Sequence, residues 1–189
     1  MSASANLISN GSFEAPVGAN HPGINNGYPT GWSGFGSMQV INGQPTASYP
    51  KAFDGDQYVT TANGYLTQGF TVSDADDFIL RWYENTLTTG WNGSYGVRLR
   101  DASSATVTFQ AFSYSTTGAS PWRQREIDLA LTPGQYTLEF EPGTSFTFLD
   151  LVTLDAVPSN AVPDSGGPLG LLGMALGGLH WLVRRPRAA

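Results

Sequence analysis

From residue 6 to residue 157 the chain alternates short apolar-rich runs with clusters of Gly, Asn, Ser, Thr and Pro. It nowhere sustains the 3.6-residue apolar spacing that an amphipathic helix requires. This pattern predicts an all-β body. Strands are expected at 6–9, 37–41, 57–60, 65–72, 78–85, 95–101, 106–113, 123–131, 136–141 and 145–156, enough for two antiparallel sheets packed face to face. The two-residue period is clearest where Tyr136, Leu138 and Phe140 alternate with Gln135, Thr137 and Glu139, which gives that strand one wet face. Thr132-Pro133-Gly134 supplies the turn before it, and Pro142-Gly143 the turn after. In the last expected strand, Phe146, Phe148, Val152 and Leu154 share a parity with Asp150, which places a carboxylate among core side chains. Such a group needs a partner, because burying it unpaired costs several kcal/mol or drives it to its neutral form.

At 189 residues the chain accommodates one domain of ordinary size and an appendage. Charged residues make up 13% of it, about half the usual share for a soluble domain, so its polarity comes from Ser, Thr, Asn, Gln and Gly, as in exported β-rich proteins. Residues 1–163 carry 14 acidic and 6 basic side chains, a net charge of −8, whereas Arg184, Arg185 and Arg187 against Asp164 leave the remainder at +2. An acidic body without basic patches repels phosphate backbones, which disfavours nucleic-acid binding. The absence of cysteine removes disulfides, thiolate catalysis and cysteine-based zinc sites.

The composition changes abruptly after a proline-flanked stretch, dividing the chain into a β-sandwich domain at 1–157, a linker with a sorting motif at 158–167, and a transmembrane helix with a basic C-terminus at 168–189. The 16 residues from 168 to 183 hold no Asp, Glu, Lys or Arg. As a helix they would span about 24 Å, somewhat short of the roughly 30 Å of a bilayer's hydrocarbon core. The three arginines would hold the C-terminus on the cytoplasmic side and leave the body outside. A buried amphipathic helix is the alternative, but the segment has no polar face.

Val162-Pro163-Asp164-Ser165-Gly166, followed by the apolar segment and then Arg184, Arg185 and Arg187, resembles the PEP-CTERM class of bacterial sorting tails in its Val-Pro-Asp-Ser-Gly variant. The resemblance implies that an exosortase in the inner membrane recognises and removes the tail, delivering the body to the cell surface or extracellular matrix. Such proteins are associated with exopolysaccharide and biofilm matrix. Asp164 stands where Glu is usual, and Pro186 interrupts the arginines. No charged n-region or apolar h-region precedes the expected first strand, so export predicts a signal peptide upstream of Met1.

The opening Asn6-Leu7-Ile8-Ser9-Asn10-Gly11-Ser12-Phe13-Glu14 resembles the first strand of galactose-binding-domain-like jelly-roll sandwiches, which include many carbohydrate-binding modules. Gly31-Trp32-Ser33, then Asp54-Gly55-Asp56-Gln57-Tyr58-Val59 leading into Gly64-Tyr65-Leu66-Thr67-Gln68, and finally Asp150-Leu151-Val152-Thr153-Leu154 follow in the order of that family. By resemblance a structural Ca²⁺ is held by Glu14 and Asp150, with Asp56 as a third candidate; Leu151 stands where the family has a second closing aspartate. Calcium takes six to eight oxygens and would satisfy an inward-facing Asp150. The alternative is that Asp150 accepts backbone N–H bonds and Glu14 is solvated.

Sugar rings stack their C–H faces on flat aromatics and pair their hydroxyls with planar polar groups. Two loops supply that mixture: one running through Trp91, Asn92 and Tyr95, the other from Tyr114 to Trp122 with Arg125 just beyond. Trp91 sits in a Gly-flanked turn, exposed or packed; Tyr114 and Trp122 either meet a ligand or close the end of the sandwich. Trp32 and Trp82 are expected in the core. The two histidines are His21, in a Gly-, Asn- and Pro-rich loop, and His180, in the tail, which leaves no plausible His-dependent triad or His-rich metal site. Glu84, Asp101, Glu126 and Asp128 are the carboxylates a glycoside hydrolase would draw on. The sequence therefore points to an exported, non-catalytic protein that binds polysaccharide. A purely structural matrix or envelope protein is its rival, and a glycan-active hydrolase a more distant one.

Overall fold

The computed structural model describes residues 6–15, 23–42, 49–86, 92–115, 121–143 and 147–158. Nine strands follow in chain order: β1 Gly23–Asn26, β2 Ser33–Asn42, β3 Gln57–Val72, β4 Asp76–Asn85, β5 Asn92–Asp101, β6 Thr106–Ser115, β7 Arg123–Leu131, β8 Gly134–Glu141 and β9 Phe148–Ala156. Every pairing is antiparallel, in the order β6-β5-β8-β3-β9-β4-β7, with β2 on the free side of β3 and β1 beyond it.

The ladder folds over at β3 into two facing sheets. The first residues of β3 pair with β9 through Val59 and Thr60, and its last seven pair with β8, from Leu66 opposite Phe140 to Val72 opposite Gly134. β2 follows it through the same corner, with a register shift between Ser37 and Gln39. The expected strands 57–60 and 65–72 are thus one continuous strand, because a long strand that changes sheets needs no turn between its halves. At the N-terminus, 6–9 forms turns instead of a strand. The side-chain oxygen of Asn6 accepts the N–H of both Ile8 and Leu154, and Leu7 donates its N–H to the Leu154 carbonyl, so the segment is held against β9 without forming a ladder.

Between the sheets lies the main core, with Trp32, Leu66, Trp82, Val97, Leu138, Phe140, Leu149 and Val152 all buried. Trp82 is its centre: its ring meets Tyr95, Phe112 and Phe140 edge to face, an arrangement that aromatic quadrupoles favour. A second, smaller core of Ile41, Ala52, Tyr58 and Phe148 lies on the far side of the β4-β9-β3 sheet.

That second core corrects the parity expected for the last strand. Opposite Trp82, β9 places two residues, Leu151 and Val152, against one, since Arg81 pairs with Thr153 and Tyr83 with Asp150. Leu151 takes the left-handed conformation this bulge needs, with φ of 47°. Val152 and Leu154 consequently face the main core with Leu149, while Phe148 and Asp150 turn to the opposite side. Phe146 lies outside the described residues.

The chain divides into units Met1–Val157 and Pro158–Ala189. Apart from Pro158, the second unit lies outside the described residues, and with it the expected helix and the sorting residues Val162, Pro163, Asp164, Ser165, Gly166, Arg184, Arg185 and Arg187. Among the described residues no helix is long and apolar enough to cross a membrane.

Candidate functional site

The side chains expected to meet a sugar are only partly brought together: among those described, Tyr95 and Tyr114 are buried, whereas Trp122 and Arg125 are partly exposed. Trp91 lies outside the described residues, and Asn92 opens β5. Tyr95 and Tyr114 are buried in the main core. Tyr95 donates to Glu84 Oε2 at 2.5 Å, accepts from Trp82 Nε1 at 2.8 Å, and so ties β5 of one sheet to β4 of the other. Burial, and then the neighbouring Glu84 carboxylate, push the Tyr95 phenol far above its ordinary range. Arg125 completes the network with a 2.7 Å contact to Glu84 Oε1, and its guanidinium lies over the Phe112 ring. Trp122 is half-buried against the second core and donates from Nε1 to the Lys51 carbonyl.

Glu14 and Asp150 grip the loop at 53–57 from two ends. Asp150 Oδ2 accepts the N–H groups of Phe53 and Asp54, and Oδ1 accepts that of Leu151. Glu14 Oε1 accepts the N–H groups of Asp56 and Gln57. Between them Gly55, with φ of 61°, lies against the Glu14 carboxylate, where an added Cβ would be 2.5 Å from Oε1. The loop therefore turns N–H dipoles toward both carboxylates, whereas Ca²⁺ needs oxygens turned toward it. Asp56 has an exposed side chain and enters this arrangement through its main chain. Among the described residues no three of His, Cys, Asp or Glu gather closely enough to hold a metal ion. The donor set fits a main-chain clamp better than a calcium site. Burial of Asp150, only partly offset by its three N–H donors, still raises its pKa from 3.8 to about 7.

The open face lies elsewhere, on the outside of the sheet formed by β6, β5, β8 and the ends of β3 and β2. Leu66, Leu138, Phe140, Val97 and Leu99 point inward, so alternate residues of the same strands point out. Those outward residues line an open groove of about 530 Å³. At one side Phe35 and Tyr65, cross-strand partners on β2 and β3, are 78% and 39% exposed. Gly34 lets β2 approach the Tyr65 carbonyl with no room for a Cβ, which brings the two strands close beneath the rings.

The floor is a set of two ion pairs across β5 and β8. Arg98 Nη2 is 2.5 Å from Glu141 Oε1, and Arg100 Nε is 3.2 Å from Glu139 Oε2. The arginine side chains are 26% and 31% exposed against 18% and 12% for the glutamates, so cationic donors lie nearer solvent and carboxylates anchor them from behind. At the far side the half-exposed Phe109 of β6 lies under the Arg98 guanidinium, 5.0 Å from ring centroid to Cζ. Ser33 and Thr67 add a hydroxyl pair at 3.0 Å. Flat apolar rings flanking a polar, donor-rich floor can stack on sugar faces and pair with vicinal hydroxyls. Arg98 and Arg100 share a parity with each other, as do Glu139 and Glu141, so the ion pairs had a period-two signal. Phe35 and Phe109 had none.

No family model matches the chain, and no curated protein matches it. Its fold is similar to that of the Stig cyclase Fisc from Fischerella sp. TAU, with a TM-score of 0.64 and 15% identity over 82% of this chain and 99% of that one. It is also similar to TmCBM61 solved with β-1,4-galactotriose, at a TM-score of 0.56 and 18% identity over 82% and 100% of the two chains. The CBM22-1 xylan-binding domain of Xyn10C from Paenibacillus barcinonensis gives a TM-score of 0.52 and 17% identity over 83% and 97%. At these identities the likeness establishes a shared fold, the all-β two-sheet sandwich of carbohydrate-binding modules, which a cyclase also uses.

Proposed function

We propose that this chain is a non-catalytic polysaccharide-binding protein whose binding surface is the groove lined by Phe35, Tyr65, Arg98 and Arg100, with Phe109 beside it under Arg98. The observation that carries this reading is the pairing of the 78%-exposed Phe35 ring with Tyr65 directly across the strand, beside two arginines held outward by carboxylates. Large aromatic rings left in water beside ordered polar groups mark a surface made to be covered. The likeness to a module solved with galactotriose and to a xylan-binding domain supports a glycan as what covers it. A non-catalytic role is supported by the state of the carboxylates. Glu139 and Glu141 are each committed to an arginine, whereas glycoside hydrolysis uses one protonated and one ionised carboxyl group flanking the bond.

The resemblance of the C-terminal segment, from Val162 to Arg187, to a sorting tail is what supports a further part of the proposal, delivery to the cell surface or matrix with exosortase and the inner membrane as transient partners. We propose no calcium role for Glu14 and Asp150. Binding is tested by titrating the purified full chain, in detergent, against a panel of soluble plant and bacterial polysaccharides. Phe35→Ala and Tyr65→Ala should abolish retention without lowering the melting temperature. Retention unchanged in both variants would remove the groove from the proposal. Sorting is tested in a host with and without exosortase, by the mass of the C-terminal peptide: an uncut tail in both hosts would end that part of it.

A further inference from the structure

We infer that the groove takes an internal stretch of about four sugars of an uncharged polysaccharide and selects against uronate-bearing chains. This rests on the glycan-binding reading above and names the substrate class of that same site. Length comes from the strand spacing. From Phe35 on β2 to Arg98 and Arg100 on β5 the groove crosses β3 and β8, three spacings of about 4.8 Å or roughly 14 Å between its outer strands. A pyranose linked through opposite corners advances about as far as one strand spacing, so a chain laid across the strands puts one ring over each of the four lining strands, about four in all. The aromatic rings of Phe35 and Tyr65 stand at one end of that path and the two ion pairs at the other, so a single sugar would meet only one kind of contact.

Charge selection comes from the floor. Both of its cations, Arg98 and Arg100, already have a carboxylate of their own, so the four groups sum to zero. The body around them carries the net −8 of residues 1–163. A polyanion would approach against that field and, on arrival, would compete with Glu139 and Glu141 for the same two guanidinium groups. A neutral chain meets no such opposition. It finds the outward N–H donors of the two arginines beside the Ser33 and Thr67 hydroxyls, groups with which sugar hydroxyls can pair both as acceptors and as donors.

Calorimetric titration of the full chain in detergent tests this with neutral xylo- and β-1,4-galacto-oligosaccharides of two to six sugars and with oligogalacturonates of the same lengths. The expected result is an affinity that rises about tenfold or more from the dimer to the tetramer of one neutral series and then levels off. That affinity should change less than about twofold between low and high salt, since no net charge is neutralised, while the uronates bind at least about tenfold more weakly. Glu139→Gln with Glu141→Gln, which frees both arginines, should gain salt-sensitive binding of the uronates. Uronates bound as tightly as the neutral chains by the unaltered protein, with affinity falling steeply in salt, would overturn the charge selection. A monosaccharide bound as tightly as the tetramer would overturn the length. Failure of every glycan, with the protein folded, would remove the glycan-binding reading itself and this inference with it; neutral binding that survives Phe35→Ala and Tyr65→Ala would move the site off the groove and overturn both.

Discussion

Arg98 reaches diagonally to Glu141 and not straight across to Glu139, its partner in register on β8. Opposite Glu141 the register places Gly96, which has no side chain to fill the intervening space. The long guanidinium crosses that gap, while Phe109 supports it from beneath. The pair is partly exposed, and exposed ion pairs contribute about 0–1 kcal/mol to stability. We expect Glu141→Ala to change stability by less than about 1 kcal/mol while it weakens glycan binding about tenfold, because the arginine loses its anchor. Chemical denaturation and calorimetry on the same preparation separate the two effects.

Gly96 lies beside the groove, between Phe109 and Glu141. A Cβ there would stand 2.7 Å from Phe109 Cε2 and 3.3 Å from Glu141 Oε2, both movable ends of side chains. Gly96→Ala should therefore cost about 1–3 kcal/mol in stability and displace the Phe109 ring from under Arg98, weakening most the oligosaccharides long enough to reach β5. Equal loss for a dimer and a hexamer would contradict the proposed reach of the groove.

Glu84 is 1% exposed and holds both Tyr95 and Arg125. Removing it leaves the buried Tyr95 hydroxyl without its acceptor, a lesion that costs about 1–3 kcal/mol, while the partly exposed Arg125 turns to water. Glu84→Ala is expected to fall in that range and Glu84→Gln, which keeps an acceptor for Tyr95, below it. The urea midpoints of the two variants check this ordering.

Asp150 makes stability depend on pH in a direction opposite to that of an ion-paired carboxylate. Burial lifts its folded pKa to about 7 against an ordinary 3.8, so the folded chain holds this proton more tightly than the unfolded chain. Asp54 adds to the rise, and the buried Tyr58 phenol faces the same group. The contribution is full below about pH 4 and is lost as the pH climbs to about 7, by roughly 4 kcal/mol for three pH units. Above pH 7 it is flat. In Asp150→Asn this slope should vanish, and melting curves of both proteins between pH 4 and pH 8 would show it as a converging or diverging difference. A constant difference would contradict the shift.

Much of the sandwich was legible because alternation is local. Tyr136, Leu138 and Phe140 face inward, and Gln135, Thr137 and Glu139 lie on the other face of β8, as their spacing requires. Glu139 is nevertheless nearly buried, because Arg100 from β5 covers it, and no property of its own strand could show that. Trp32 and Trp82 are core residues as expected. Tyr95 and Tyr114 share the expected mixture of aromatic and polar surroundings, but that mixture is turned inward, where Glu84 and Thr147 are their partners.

The order of apolar and polar residues along each segment thus determined by itself that the body is built of strands, and which residues within most strands share a face. Which face became the groove was decided only in three dimensions. Phe35, Tyr65, Arg98, Phe109 and Glu141 come from five strands spread over more than half the chain, and their juxtaposition depends on pairing registers between residues far apart in sequence. The single extra residue at Leu151 turned Asp150 from the main core to the second one. A two-residue period carries no memory past a bulge, and an antiparallel register is set by hydrogen bonds to another strand.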